Sequence, residues 1–382
     1  MNFIGGDIMI GLSVPNLKGN ELKYVTKAIE TEWVSTAGPY VKEFEKKISE
    51  YVGMPEAVAC QSGTSGIHLA LQTLGVEKGD EVIVPTLTFI AAVNPVRYLG
   101  ADPIFMDCDD SLTIDPDKLE KFCAEECTLK SDELINNKTR KKVKAIVIVH
   151  VFGNLADMEK ILNVAQKYHV KVMEDATEAL GSKFISGKFA GKFAGTMGDI
   201  GVYSFNGNKI ITTGGGGMIV SPNKKYLDRC RYLSTQCKDD VLYFVHNEVG
   251  YNYRMTNIQA ALGLAQLEQL EGFIATKEAN YKEYIANGLQ LLAFRKGTRP
   301  NYWFYSLLTK NRDALIEALR KEKIQTRPIW KLNHTQKMYQ VSQAYQIEKA
   351  EQFYDSIVNI PCSTNLTKSD VDYVSKEIKN LI

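Results

Sequence analysis

Alternating strand-like and helix-like segments run from Tyr40 to Val220 and restrict the folds open to this chain. Five apolar runs have the length and composition of buried strands: DEVIVP, DPIFMD, KAIVIVHVFG, VKVMEDA and IGVYSF. Three further segments have apolar residues at helical spacing: GTSGIHLALQTLGV, TFIAAVNPVRYLG and DMEKILNVAQKYH. The alternation predicts an α/β fold, with a mainly parallel sheet covered by helices on both faces. Ligands of such sheets bind at the carboxyl ends of the strands, where the polar turns of this sequence fall.

After about Ser221 the sequence becomes richer in helix, and a long amphipathic run follows, NIQAALGLAQLEQLEGFIATKEANYKEYIANGL. A chain of 382 residues with 45% apolar content exceeds the usual size of one domain. We predict a large α/β domain over residues 1–235, including the N-terminal segment, and a smaller α+β domain over residues 236–382 with a long linking helix. The charged segment KSDELINNKTRKKVK lacks apolar periodicity and is predicted to be a surface loop.

Composition argues for a small-molecule substrate. Lysine plus arginine number 46 and aspartate plus glutamate 45, so a net charge of +1 gives no bulk attraction to nucleic acid or to a membrane surface. The seven cysteines have no regular spacing, which fits a reducing cytoplasm. Cys123 and Cys127 lack the second pair that a zinc site needs, so no metal is predicted. The sequence also predicts neither an export signal nor a membrane span.

The segment SFNGNKIITTGGGGMIV places Lys209 a few residues before four consecutive glycines. Such a pair can form a phosphate cradle, a covalent anchor for a cofactor, or a turn beside a surface lysine. The upstream segment GSKFISGKF is not a P-loop, because five residues separate Gly181 from Gly187 and Phe189 stands where a hydroxyl must reach magnesium. The run GGGG precedes a strand, whereas a dinucleotide fingerprint opens a helix.

Other polar residues supply what a lysine-anchored cofactor needs. Asp175 ends a predicted strand, where it either meets a cation or caps the next helix. The turn SGTS leads into a predicted helix, where it can bind a phosphate or only cap the N-terminus of the helix. Lys209 can form a Schiff base with an aldehyde, and Asp175 can hold a pyridinium nitrogen protonated. Together these parts point to pyridoxal 5'-phosphate.

Several motifs, in order, resemble the DegT/DnrJ/EryC1/StrS family of fold-type I aminotransferases, which aminate keto sugars attached to nucleotides. The motifs are SGTSGIHLAL, GDEVIVPTLTFIAAVNPVRYLGADPIFMD, HVFGNLADM, EDATEALGS, GDIGVYSFNGNKIITTGGGGMI and VGYNYRMTNIQAALGLAQL. The resemblance implies a pyridoxal-phosphate enzyme with a ping-pong mechanism and L-glutamate as amino donor. It also implies a homodimer whose active site is shared between subunits.

The resemblance assigns a role to individual residues. Lys209 corresponds to the catalytic lysine that holds the cofactor and moves protons. Asp175 corresponds to the partner of the pyridinium nitrogen, and Glu178 to a residue near the ring hydroxyl. The other implied cofactor contacts are Gly63, Thr64, Ser65 and Ser204 at the phosphate, Phe89 over the ring, and Asn252 reaching across from the neighbouring subunit. Trp33, Arg254 and His334 are candidates for contacts to the substrate, or else structural residues.

One departure from the family concerns the loop after Lys209, which often reads Thr-Gly-Glu-Gly-Gly in the family. Here Thr213 is followed by glycines 214–217, so a carboxylate is missing. The N-terminal segment is most similar to the branch that aminates C4 of UDP-4-keto-6-deoxy-N-acetylhexosamines, on routes to legionaminic acid or bacillosamine. The alternatives are a GDP-perosamine synthase, a nucleotide-sugar 3-aminotransferase, an amino-acid aminotransferase, and a noncatalytic sensor of the same fold.

Overall fold

The computed structural model describes residues 10–381; the first nine residues, to which part of the export prediction refers, lie outside them. The strands of the large sheet are β1 (Ala57–Cys60), β2 (Glu81–Pro85), β3 (Asp102–Met106), β6 (Val143–Val149), β7 (Lys171–Asp175), β9 (Ile200–Ser204), β10 (Gly217–Val220) and β16 (Ala344–Tyr345). Smaller sheets contain β4 (Cys127–Lys130), β5 (Glu133–Asn136), β8 (Lys183–Phe184), β11 (Lys238–Asp240), β12 (Val245–His246), β13 (Thr298–Arg299), β14 (Tyr305–Leu308), β15 (Arg327–Pro328) and β17 (Ile357–Ile360).

The helices fall into two sets along the chain. Those up to residue 234 are α1 (Glu21–Glu30), α2 (Pro39–Val52), α3 (Gly63–Thr73), α4 (Asn94–Tyr98), α5 (Pro116–Glu125), α6 (Met158–Lys167) and α7 (Lys224–Ser234). Those that follow are α8 (Asn257–Leu267), α9 (Leu270–Ala286), α10 (Arg312–Lys321), α11 (Lys349–Ser356) and α12 (Lys368–Leu381).

The large sheet has eight strands in the order β1-β10-β9-β7-β6-β2-β3-β16. Its pairs are parallel except where β10 lies between β1 and β9, antiparallel to both. No crossover helix separates β9 from β10, so the chain returns beside β9 in the opposite direction. The predicted α/β fold with a mainly parallel sheet is confirmed.

Burial on both faces explains why the central strands read as unbroken apolar runs. In β6, Ala145, Val147 and Val149 belong to the core cluster on one face, whereas Ile146 and Ile148 belong to the cluster on the other. Successive side chains of a strand point to opposite faces, so a strand covered by helices on both sides needs apolar residues throughout.

The second half of the chain forms a three-stranded antiparallel sheet, β14-β17-β15, with α9, α10 and α12 nearby. The long amphipathic run is two helices rather than one, because α8 ends before Glu268 and α9 starts at Leu270. Helix α8 packs against α1 and α2. It therefore belongs spatially with the N-terminal half, although it follows residue 235, where the domain boundary stays a prediction.

Two local predictions were wrong. The segment predicted as a surface loop contains most of the hairpin β4–β5, whose two-residue turn at Ser131 and Asp132 has positive φ at both positions and matches the twist of a hairpin. The segment TFIAAVNPVRYLG forms a 3-10 turn followed by only the short α4, since Pro95 is accepted at the start of a helix but not inside one. Among residues 10–381 there is no helix long and apolar enough to span a bilayer.

Candidate active site

A cavity of about 330 Å³ lies at the carboxyl ends of the sheet strands, where the sheet argument predicts a site. Strand β7 ends at Asp175 and its parallel neighbour β9 ends at Ser204, while α3 begins at Gly63 just after β1. The cavity is lined by Ser62, Gly63, Thr64, Ile67, Phe89, Ala91, Thr177, Glu178, Ser204, Asn206, Asn208, Lys209, Gly215, Gly216, Trp303, Phe304 and Trp330.

The amine of Lys209 lies inside this cavity between a carboxylate and an aromatic ring. Its Nζ is 4.0 Å from Oε1 of Glu178 and 3.9 Å from the centroid of the Trp303 ring, and its side chain is 12% exposed. Burial lowers the pKa of the Lys209 amine, against the opposing charges of Glu178 and Asp175. A lysine with a lowered pKa is more often in the free amine form, which can attack an aldehyde.

Two buried carboxylates lie close to this amine. Asp175 accepts a hydrogen bond from the Thr177 backbone N–H at 3.0 Å, and Glu178 accepts one from the Phe152 N–H at 2.8 Å. Burial raises the pKa of both carboxyls, and the charge of Lys209 opposes that rise. Asp175 is buried at the end of β7, close enough for its charge to act on Lys209.

The N-terminus of α3 closes one end of the cavity. Ser62 caps the helix by accepting the Ser65 N–H at 3.1 Å, and the Ser65 hydroxyl donates back to the Ser62 carbonyl at 2.8 Å. Ser65 therefore serves the cap and does not line the cavity, whereas Gly63 and Thr64 do. A Cβ on Gly63 would lie 2.9 Å from the Ser204 Cβ, so the close approach of α3 to the end of β9 requires glycine. The first N–H groups of a helix have no intrahelical partner and attract anions.

The glycine run forms a tight turn between Lys209 and β10. Gly214 has φ of +78° and Gly216 has φ of +153°, a region that side chains disfavour. Backbone hydrogen bonds from Phe205 N–H to Gly216 O and from Thr213 N–H to Phe205 O close the loop that contains Lys209. The loop thereby fixes where the lysine leaves the backbone.

The structure brings together six of the predicted site residues as cavity lining: Gly63, Thr64, Phe89, Glu178, Ser204 and Lys209. Asn252 is exposed and lies outside the cavity. Trp33 is 52% exposed, and only its carbonyl is engaged in a described hydrogen bond, from the Asn257 side chain.

Arg254 and His334 also lie outside the cavity lining. Arg254 forms an ion pair with Glu45 at 2.5 Å and donates to the Ala59 carbonyl at 3.0 Å, which joins the chain before α8 to α2 and β1. His334 lies with its Nδ1 2.7 Å from the Thr86 hydroxyl. The described contacts of both residues are with neighbouring parts of the protein, and their contact with the substrate stays a prediction.

Sequence reasoning missed the aromatic wall of the cavity, formed by Trp303, Phe304 and Trp330. It also missed Phe152, whose φ of 57° places its N–H on Glu178 and whose ring lies 4.7 Å from that of Trp330. The cluster of aromatic residues in NYWFY was the available signal. Periodicity could not connect it to Lys209, because Trp303 lies 95 residues beyond Asn208.

A buried lysine amine, a buried carboxylate at a strand end and a helix N-terminus around one cavity define the class of enzymes that hold pyridoxal phosphate on a lysine. The chain belongs to the DegT/DnrJ/EryC1/StrS aminotransferase family, whose sequence profile matches residues 15–379. It is a pyridoxal-phosphate-dependent sugar aminotransferase, as the resemblance implies.

Similar proteins cover the chain almost end to end. It is 40% identical over 371 residues to a GDP-perosamine synthase of Escherichia coli O157:H7, covering 95% of this chain and 96% of that one. It is 37% identical to a GDP-perosamine synthase of Caulobacter vibrioides, covering 96% of each. A UDP-4-amino-4,6-dideoxy-N-acetyl-beta-L-altrosamine transaminase of Campylobacter jejuni is 29% identical, covering 98% of each chain.

Solved structures agree with the fold. The crystal structure of a DegT DnrJ EryC1 StrS aminotransferase from Brucella abortus has a TM-score of 0.86 at 28% identity and covers 94% of this chain and 95% of that one. A structure described as a putative sugar aminotransferase from Streptococcus pneumoniae in its PLP form has a TM-score of 0.87 at 24% identity, covers 98% of each chain and shows the same fold. Membership of the family confirms the cofactor prediction and the predicted enzyme class.

Proposed function

We propose that this enzyme transfers the amino group of L-glutamate to C4 of a nucleotide-linked 4-keto-6-deoxy sugar, and that the nucleotide is GDP. The observation that carries the catalytic part is the buried Lys209 amine, held in the cavity beside Glu178 and within the field of Asp175. The choice of GDP rests on the two relatives named GDP-perosamine synthase, at 40% and 37% identity.

The residues of the cavity fit pyridoxal phosphate. The α3 N-terminus, with Gly63 and Thr64, and the hydroxyl of Ser204 suit the phosphate group. Asp175 would accept the hydrogen bond of the ring nitrogen, and Phe89 would cover the ring. Lys209 would bind the aldehyde. When bound, the cofactor acts as an electron sink and carries the amino group between the two substrates.

Lys209 is the group suited to move protons in this cavity. Burial lowers the pKa of its amine, which favours the free amine that can take a proton and return it. Glu178 lies 4.0 Å away and stabilises the protonated form. The buried indole of Trp303, 3.9 Å from Nζ, covers one side of the amine.

A second nucleotide is supported by one observation. The relative that acts as a UDP-4-amino-4,6-dideoxy-N-acetyl-beta-L-altrosamine transaminase is similar over 98% of the chain, but at 29% identity. The UDP-linked substrate that the N-terminal segment suggests is therefore the second candidate, and the 40% identical relative favours GDP. An amino-acid aminotransferase or a 3-aminotransferase has no comparable support. A noncatalytic sensor is disfavoured because Lys209 and Asp175 are both present.

A homodimer with a shared site forms part of the proposal. The turn of the hairpin β11–β12 and its edges expose Val241, Leu242, Tyr243 and Phe244 at 74%, 74%, 76% and 69%. Adjacent exposed apolar side chains of this kind mark a protein–protein contact, and a second copy of the chain is the partner that the family resemblance implies. Asn252, a few residues later, is exposed and would reach the partner's cofactor phosphate.

The reducing cytoplasm is the proposed compartment. All seven cysteines are free and buried, in keeping with that environment.

The decisive experiment offers purified enzyme and L-glutamate a panel of GDP-, UDP- and dTDP-linked 4-keto and 3-keto sugars, with products identified by mass and NMR. We expect the 4-amino sugar from the GDP-linked 4-keto-6-deoxy substrate and 2-oxoglutarate in equal amount. Lys209→Ala should abolish turnover, and Lys183→Ala, at a half-buried residue of β8 outside the cavity lining, should not. Amination by the Lys209 variant at the wild-type rate would refute the assignment of that residue. A product from the UDP substrate alone would select the second candidate.

A further inference from the structure

The Lys209 amine contacts an aromatic side chain from a distant part of the sequence. The ring of Trp303 lies 3.9 Å from Nζ, on a side chain that is almost fully buried. Its indole N–H also donates to the carbonyl of Asn208, the residue before the lysine, at 2.7 Å. One side chain therefore fixes both the backbone that carries the lysine and the amine at its end.

The backbone beside Trp303 is joined to the opposite wall of the cavity. The Asn301 side-chain NH₂ donates to the carbonyls of Glu178 and Leu180 at 2.9 and 3.0 Å. The Asn301 amide oxygen accepts the Trp303 backbone N–H at 3.0 Å. Asn301 is completely buried, so these bonds hold the indole and Glu178 at a fixed separation, with Lys209 between them.

We propose that Trp303 is a positioning residue, which holds the Lys209 amine against Glu178 and stabilises its protonated form through the face of the indole. The proposal deepens the proposed function, because it concerns the same amine. The face of an indole ring is electron-rich and attracts a cation, and tryptophan gives the strongest contact of this type. Ordering a long lysine side chain also removes rotamers that would point the amine away from the reaction.

The groups that face the amine determine whether removal of the Trp303 ring raises or lowers the pKa of Lys209. Burial lowers the pKa of Lys209, and the carboxylates of Glu178 and Asp175 raise it. The indole acts in the same direction as the carboxylates, since it favours the ammonium over the amine. Removing the ring therefore lowers the pKa of Lys209 further. A cation–π contact in a desolvated site corresponds to a shift of roughly one pKa unit.

The test uses the cofactor-free protein, so that neither the sugar nor turnover enters the readout. The rate of acetylation of Lys209 by acetic anhydride is measured by mass spectrometry across pH, which gives the pKa of this one amine. Trp303→Leu should lower that pKa by roughly one unit, and Trp303→Phe by about half as much, because phenylalanine keeps a weaker aromatic face. Trp330→Leu, which changes the same wall but has no described contact to Lys209, should leave the pKa unchanged.

The outcomes separate this proposal from the proposed function. An unchanged pKa in Trp303→Leu, in protein whose circular dichroism matches the wild type, would overturn the positioning role even if the sugar panel succeeds. If the Leu variant does not fold, the Phe variant decides by the same criterion. An equal fall of the pKa in Trp330→Leu would also overturn it, because the effect would then not depend on the contact between Trp303 and the amine.

Discussion

At the scale of single residues, the position of Asp175 also has room for asparagine, which has the same shape but no charge. The carboxylate accepts the Thr177 N–H at 3.0 Å, and an asparagine oxygen can accept the same bond. Burial of the charge is costly in the free protein, as the raised pKa shows. Asp175→Asn should therefore preserve the turn after β7 and the thermal midpoint.

The same change should abolish most of the activity. Asp175 would be the charged partner of the cofactor's ring nitrogen, and a buried charge pair that loses one partner costs about 3–5 kcal/mol, which corresponds to a rate lower by roughly two hundredfold to five thousandfold. Steady-state kinetics with glutamate and the keto sugar measure this effect, and calorimetry measures the midpoint. Asp110→Asn, at a side chain 89% exposed, is the matched control and should leave both unchanged. Full activity in Asp175→Asn would remove Asp175 from the catalytic site.

At the scale of elements, the turn into β10 contains glycines with different packing. A Cβ on Gly217 would lie 2.7 Å from the Ser62 backbone, so the turn that caps α3 would have to move. A Cβ on Gly215 would meet nothing nearer than 3.8 Å. We expect Gly217→Ala to lower the free energy of unfolding by roughly 1–3 kcal/mol and to weaken cofactor binding. Gly215→Ala should stay within about 0.5 kcal/mol of the wild type.

Denaturant unfolding of the cofactor-free protein and titration with pyridoxal phosphate measure the two effects separately. Equal stability of the Gly217 and Gly215 variants would contradict the packing argument. Gly215 stands where the family's loop often has Glu, and a Cβ there would have room, so packing does not require glycine at this position.

How far the sequence predicts this site depends on whether a residue's neighbours are near it in the chain. Strands β6 and β7 are predictable because burial on both faces requires continuous apolar runs, and Asp175 is predictable as the residue where such a run ends. Trp303 and Arg254 are not, because their contacts join distant segments: Trp303 to Asn208, and Arg254 to Glu45, 209 residues away. Periodicity describes one element and contains no information about which elements meet.

At the scale of the whole molecule, the proposed homodimer and its shared active site depend on the surface of the hairpin β11–β12. It exposes Leu242 at 74% and Phe244 at 69%, and each large apolar side chain contributes about 1.5–3 kcal/mol when it is buried in a contact. The double variant Leu242→Lys/Phe244→Lys should therefore raise the dimer dissociation constant by roughly a hundredfold or more, as measured by sedimentation equilibrium. Sugar amination should fall in proportion to the dimer fraction, because the predicted phosphate contact of Asn252 reaches a partner's site.

Val341→Lys, at a residue 93% exposed elsewhere on the surface, is the control and should leave assembly and activity unchanged. A wild-type protein that is monomeric and active at assay concentrations would contradict the shared site, and the cavity of one chain would then be complete.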